Sequence, residues 1–280
     1  MKDRQVKQEV RKFYDQVGWQ EIADGLYQNA QYEDLRSVSR QYIHKCHMKV
    51  NRYLNSSGKY FLDAGSGPIQ YPEYLSYSEG YKYRVCLDIS MVALKDARKR
   101  IGSHGLFVVG DVAHLPFKND VFGGIVSLHT LHHLPKSNYS MAFDEIRRVL
   151  RKKASAVIVN GWDESPLMNF FRLPVHYMEK LLRKNGRENA SGEKASENDD
   201  QIPDGTFVYK LKPGNLNKFL PEDYDLEIRV WRSVSVRFLR AMIHRWNFGK
   251  LILKLLYQLE EMFPKYLGEN GQYPMFVVRK

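Results

Sequence analysis

The sequence predicts an α/β domain built on a doubly wound parallel sheet, with helical additions at both ends. Three observations carry this. Between Tyr60 and Asn160, five short apolar runs ("YFLDAG", "RVCLDIS", "GLFVVGD", "FGGIVSLHT" and "SAVIVNGW") are continuous rather than alternating, as strands buried on both faces are. Polar stretches of helical length separate them, which is the rhythm of βαβ units. The chain has 280 residues and 43% hydrophobic content, enough for one large core with an inserted or appended piece.

Taken in order, residues 2–16 read as an amphipathic helix, because Val6, Val10, Phe13 and Val17 recur at helical spacing. Residues 33–54 read as a second, with Leu35, Val38, Tyr42, Cys46, Val50 and Leu54 on one stripe, and "NSSGK" ends it. Within the α/β region the helices are "SMVALKDARKRIG" and "SNYSMAFDEIRRVLRKKA", with Ser90 and Ser137 as N-caps. After Trp162 the rhythm stops. "MNFFRLPVHYMEKLLRKNG" reads as a helix, and residues 184–205 are so polar that a flexible loop is expected. "YDLEIRVW" is then a strand, 236–263 a helical region and "YPMFVVRK" a final strand. The expected division is a helical cap or lid at 1–56, an α/β core at 57–163, an insertion at 164–222, and the last two strands with their inserted amphipathic helix at 223–280.

Composition bounds the partners. The net charge of +11 suits nucleic acid, anionic lipid or an acidic small molecule, but the basic residues are spread along the chain rather than gathered in one stripe. Cys46 and Cys86 form neither a disulfide framework nor a metal-ligand spacing, so no metal site is expected. The first residues hold no apolar signal core, and no segment approaches the roughly 18 uninterrupted apolar residues of a membrane span. A cytoplasmic protein is the reading. Contact at a membrane surface stays open, because Arg237, Arg240, Arg245, Lys250 and Lys254 surround a face of Phe238, Met242, Leu251, Leu255, Leu259 and Met262.

In open α/β sheets, ligands bind beyond the carboxyl ends of the strands. The first run ends at Asp63, followed by Gly65 and Gly67, which permit a tight turn and close backbone approach. The second ends at Asp88, about 20 residues on, the separation at which a carboxylate reaches ribose hydroxyls. The third ends near Asp111. A dinucleotide fingerprint needs glycine at position 70, where Gln70 stands, so an adenosine ligand without pyrophosphate is favoured over NAD.

The segments "FLDAGSGP", "VCLDIS", "VVGDVAHLPFKNDVFGGIVSLHTLHHLP" and "RRVLRKKASAVIV", in this order, resemble the class I methyltransferases that use S-adenosylmethionine (SAM), and within them the quinone-biosynthesis and small-molecule group, methyltransferase type 11. The resemblance covers about residues 60–160. It implies a Rossmann-like seven-stranded sheet whose last strand is antiparallel, with helical cap insertions. It also implies SAM held by Asp63, Ala64, Gly65 and Gly67 at its methionine end, by Asp88 at the ribose, by Ile89, Asp111 and Val112 at the adenine, and by the backbone of Ser127 and Leu128. Two positions depart from the family pattern: Ile69 stands where a third glycine is common, and Gly123 stands where an aspartate is usual.

Methyl transfer from a sulfonium is an in-line displacement that needs alignment and exclusion of water, and a base only when the acceptor carries a proton. His129 and His132, with His133 beside them, are the candidate bases, since imidazole titrates near neutrality. Tyr14 and Trp19 are candidates for a lid over the acceptor. The family's signature for planar amino groups, Asn/Asp-Pro-Pro-aromatic, is replaced by "SLHT", which favours an oxygen or carbon acceptor on a small or lipid-like molecule. The rival readings are an RNA methyltransferase and a SAM-binding protein without catalysis. Oligomeric state is not legible.

Overall fold

The computed structural model describes residues 3–23, 26–184, 205–220 and 224–280. A short hairpin of β1 (Glu21–Ala23) and β2 (Leu26–Tyr27) precedes the main sheet. That sheet contains β3 (Gly58–Ala64), β4 (Tyr81–Asp88), β5 (Gly105–Val109), β6 (Phe122–Leu128), β7 (Leu150–Val159), β8 (Leu226–Arg232) and β9 (Tyr273–Arg279), in the order β5-β4-β3-β6-β7-β9-β8. The strands from β3 to β7 pair in parallel, and β9 lies antiparallel to both β7 and β8. The expected seven-stranded sheet with an antiparallel last strand is therefore present. Strand order reverses at β3, whose neighbours are β4 and β6, and this opens a crevice at the carboxyl ends of those strands.

The helices are α1 (Asp3–Phe13), α2 (Arg40–Met48), α3 (Met91–Ile101), α4 (Tyr139–Val149), α5 (Pro166–Phe170), α6 (Arg172–Lys184), α7 (Val236–Met242), α8 (Gly249–Met262) and α9 (Pro264–Asn270). Alternation along the buried strands sends Leu62, Ile125, Ile158 and Phe276 to one face, where Phe143, Ile146 and Val149 of α4 meet them. Phe61, Val126, Val157 and Val277 point to the other, against Tyr42, Ile43 and Cys46 of α2, Leu239 of α7 and Leu253 of α8. Burying one such aliphatic or aromatic side chain is worth about 1.5–3 kcal/mol, so the doubly covered sheet is the main source of stability.

Several expectations are corrected. The helix foreseen over 33–54 is confined to α2 plus a 3-10 turn at Lys49–Tyr53. Ahead of it, Asp34 accepts from Arg36 and Ser39, and Glu33 is bound by Arg232, which fixes residues 33–39 outside a helix and leaves Leu35 45% exposed. Ser90 caps α3 as expected, accepting the Ala93 N–H at 3.1 Å. Ser137 does not cap α4; its hydroxyl donates to Asp3 at 2.6 Å and ties α1 to the core. The helix foreseen through Ala154 stops at Val149, because Leu150 already pairs with Phe122 in the sheet. The helical region 236–263 breaks between α7 and α8, where Phe248 takes a left-handed conformation (φ 56°). Residues 184–205, apart from their two ends, lie outside the described residues.

Candidate active site

At the switch point a cavity of about 440 Å³ opens between the strand ends and the N-terminal helix. Gly65 has φ 81° and Gly67 φ 53°, and both need glycine on a second count. A Cβ on Gly65 would fall 2.2 Å from a Thr130 methyl, and one on Gly67 would fall 2.9 Å from the Trp19 ring. The Gly67 N–H donates to Asp88 Oδ2 and the Ser90 N–H to Asp88 Oδ1, each at 2.8 Å. The carboxylate at the end of β4 thus holds the glycine loop in shape. It uses two of its roughly four acceptor positions and keeps two for a ligand. Burial, only partly offset by those two N–H groups, pushes its pKa up to about 6, with Asp63 and Asp15 adding to the rise.

Ile69, at the position of the missing third glycine, itself takes the left-handed conformation (φ 57°). A β-branched residue there costs about 1–3 kcal/mol. Its side chain is fully buried with Cys86, Leu94 and Ala97, which offsets that cost, and its carbonyl accepts from Arg100 at 3.0 Å. The turn therefore keeps the shape a glycine would give it.

Of the residues foreseen for the cofactor, Gly65, Gly67, Asp88, Ile89, Asp111, Val112 and Leu128 line the cavity. Asp63, Ala64 and Ser127 do not. Asp63 is buried in an ion pair with Arg84 of β4, so its carboxylate is committed inside the sheet. Ala64 packs in the core, and the Ser127 hydroxyl donates to the Ala64 carbonyl at 2.8 Å, joining β6 to β3. Asp111 accepts from Lys7 at 2.5 Å, from the Ala113 N–H at 2.9 Å and from His114 at 3.3 Å. Burial alone would raise its pKa; these donors outweigh that and hold it below the usual carboxylate range.

The N-terminal segment closes over these loops, as a lid would. Lys7 reaches Asp111, the Ser90 hydroxyl donates to Asp15 at 2.6 Å, and Tyr14 lies 2.7 Å from His133 Nε2. Tyr14 and Trp19 stack at 5.0 Å and both line the cavity.

All three histidines line the cavity, but none is poised near neutrality. Burial first, then the positive charges of Arg232 and Lys210 and the neighbouring histidines, push His129 down to about 3. His132 lies well below its usual value, chiefly through burial, and His133 falls to about 4. His133 Nδ1 donates to the Phe207 carbonyl at 2.9 Å, so Nε2 is the acceptor for the Tyr14 hydroxyl. His132 Nδ1 meets Asn160 Oδ1 at 3.3 Å. His129 sits on strained backbone (φ 54°), its ring edge-on to Trp231 at 5.0 Å and to Tyr273 at 5.7 Å. The foreseen bases are thus neutral imidazoles, and the near-neutral titration expected of them is corrected.

Sequence reasoning missed the far wall: Tyr71, Tyr74, Trp231, Arg232, Tyr273 and Lys210. Arg232 pairs with the Glu33 carboxylate and lies over the Tyr273 and Trp231 rings at 4.6 and 5.0 Å. Trp19 Nε1, Trp231 Nε1, Arg232 Nε and Thr206 Oγ1, all on cavity-lining residues, are buried without a hydrogen-bond partner among the described residues. Buried donors left unpaired are costly, and a ligand rich in acceptors fits them. Among the described residues no His/Cys/Asp/Glu group is placed to hold a metal ion.

Residues 62–158 match the family model of a methyltransferase domain. A match of 26% identity over 110 residues links the chain to an uncharacterized protein of Methanocaldococcus jannaschii, covering 39% of this chain and 44% of that one. Among solved structures, phosphoethanolamine N-methyltransferase 1 of Haemonchus contortus, in complex with phosphoethanolamine and S-adenosylhomocysteine, superposes with a TM-score of 0.59 at 10% identity over 100% of this chain and 50% of that one. The chain thus spans about half the length of these two relatives. Geranyl diphosphate C-methyltransferase of Streptomyces coelicolor A3(2) gives 0.54 at 11% identity, over 98% and 97% of the two chains. Magnesium protoporphyrin IX methyltransferase of Synechocystis PCC 6803, with bound S-adenosylhomocysteine, gives 0.53 at 15%, over 98% and 100%. At these identities the likeness is one of fold.

Proposed function

We propose, from the premise that this chain carries a class I SAM-dependent methyltransferase domain of the type 11 group, that the protein transfers the methyl group of SAM to an oxygen or carbon of a small or lipid-like acceptor. The observation that carries the acceptor reading is that one cavity joins two unlike halves. The strand-end acids and glycine loop form one, and an aromatic wall with unpaired donors forms the other. A cavity of about 440 Å³ with this mixed lining suits a small ligand presented to a sulfonium.

The residues present fit SAM. Asp88 has acceptor capacity for two ribose hydroxyls, and the unpaired Trp19 Nε1 lies on the lid above Gly67. Asp111 fits with a condition: Lys7 already occupies one of its oxygens and has to share it with an adenine amino group. SAM supplies the activated methyl group, and this chain supplies alignment and exclusion of water. Tyr14, Trp19 and Lys7 cover the cofactor half. His129, neutral and held on strained backbone against Trp231, is suited to accept a hydrogen bond from an acceptor hydroxyl rather than to store its proton. We assign it, with His132, to positioning the acceptor.

Two experiments test this reading. Calorimetry with SAM, followed by methyl-labelled SAM offered with a small-molecule and lipid extract or with bulk RNA, is expected to show binding and label in the first fraction. Absence of SAM binding would sink the enzyme reading; label in RNA alone would overturn the acceptor class. The lid is tested by Tyr14→Phe, which deletes the donor to His133. Its off-rate for SAM, followed by Trp19 fluorescence in stopped flow, is expected to rise about fivefold, matching one net hydrogen bond of about 1 kcal/mol. An unchanged off-rate would mean that the latch does not hold the ligand.

A further inference from the structure

We propose that the solvent-facing apolar stripe of α8 docks the protein on the surface of an anionic lipid bilayer. α8 carries two apolar faces. One faces the domain, through Gly249 and Leu253 and with Glu260 buried beside them. The other is open: Leu251 is 54% exposed, Leu255 52%, Leu259 48% and Met262 68%, and Phe248, just before the helix, is 77% exposed. These positions recur every three or four residues, so they form one line along a helix about 21 Å long. A contiguous apolar surface of this kind is rare on a soluble monomer unless something covers it.

The charge beside the stripe says what covers it. Lys250 and Lys254 flank it and Lys265 continues the edge, all exposed and with no carboxylate in ion-pair distance among the described residues. The acidic residues of the same helix are already neutralised, Glu260 by the buried Lys49 and Glu261 by Arg52. The unbalanced charge along the stripe is therefore positive, complementary to anionic headgroups. A second copy of the chain would bring the same unbalanced lysines to the interface and be repelled. Trp246 and Tyr266, 57% and 64% exposed, stand near the two ends of the stripe, and such rings favour the headgroup level. Among the described residues no helix is long and apolar enough to cross a membrane, so the contact is one of lying on the surface. The inference is independent of the reaction catalysed.

The test is co-sedimentation of the full chain with vesicles of phosphatidylcholine alone or mixed with phosphatidylglycerol. Binding is expected on the mixed vesicles, with release by high salt. Lys250→Glu and Lys254→Glu are each expected to weaken it by at least about fivefold, and Leu255→Glu by at least about tenfold. An unchanged melting temperature and SAM affinity in each variant would show that the fold is intact. Wild-type protein that stays in the supernatant with both vesicle types overturns the proposal. So does a dimer, seen by light scattering without vesicles, that Leu255→Glu dissociates, because a second copy would then be what covers the stripe.

Discussion

Asp88→Ala is expected to weaken SAM binding by at least tenfold, measured by calorimetry. Two effects add. The ribose hydroxyls lose a charged acceptor, at about 1.5–3 kcal/mol per bond, and 1.4 kcal/mol is already tenfold. The Gly67 and Ser90 N–H groups also lose their acceptor, so the loop that surrounds the ligand loosens. The pH dependence makes the prediction specific. With the carboxyl raised from 3.8 to about 6, the ligand-free folded protein holds a proton between those values that the unfolded chain has released. Stability from this group therefore falls as pH rises from about 4 to about 6, by about 3 kcal/mol at roughly 1.4 kcal/mol per tenfold change in proton affinity. Hydroxyl donors favour the ionised form, so SAM affinity runs the other way and rises through pH 6. At pH 5 only about a tenth of the carboxyl is ionised, and affinity is expected to be about tenfold weaker than at pH 8. Asp88→Asn should abolish that dependence. Affinity unchanged in Asp88→Ala, or a pH profile that survives in Asp88→Asn, would remove Asp88 from the site.

Asp63→Ala is expected to act on stability. It strands the fully buried Arg84 guanidinium, and breaking a buried pair by deleting one partner costs about 3–5 kcal/mol. For a chain of this size that corresponds to a fall in melting temperature of roughly 6–20 °C. The double variant Asp63→Leu/Arg84→Met, which removes both charges and keeps volume, should recover most of the loss, because desolvation is then no longer incurred. Thermal unfolding checks both. A single variant that melts like the wild type but binds SAM tenfold more weakly would return Asp63 to the ligand.

The sequence made much of the cofactor half legible, and the reason is local. Gly65, Gly67, Asp88 and Asp111 sit at strand ends, and their place in the cavity follows from chain geometry within a few residues. Asp63 misled because its partner is on the neighbouring strand. Phe61 pairs with Arg84 and Asp63 with Cys86, so Arg84 and Asp63 project from the same side of the sheet. A lone arginine inside "RVCLDIS" was the available signal, since a buried charge needs a counter-charge. The far wall of the cavity was missed although the strand-end rule reaches it. β8 is antiparallel to β9 and so runs with the parallel strands. Its last residues, Trp231 and Arg232, therefore emerge at the same edge as Asp88, and so does Tyr273 at the start of β9. The histidines line the cavity, but their lowered proton affinity could not be read from the sequence, because burial beside Arg232 and Lys210 depends on the tertiary fold. The helix at 33–54 failed because Glu33 and Asp34 bind partners that propensity does not register.

The buried contacts between the first and last parts of the chain bear on how it folds as it is made. Glu33 waits for Arg232, and Lys49 and Tyr42 wait for Glu260, across separations of 199, 211 and 218 residues. During synthesis from the N-terminus Glu33 and Lys49 emerge 199 and 211 residues ahead of their counter-charges. Until then Glu33 and Lys49 remain hydrated, since burying either one alone is strongly unfavourable. The same charges that are costly to enclose in the finished protein thus keep the early segment in water and keep it from collapsing prematurely onto the half-made sheet. That segment then closes only on a chain whose β8 and α8 have already arrived.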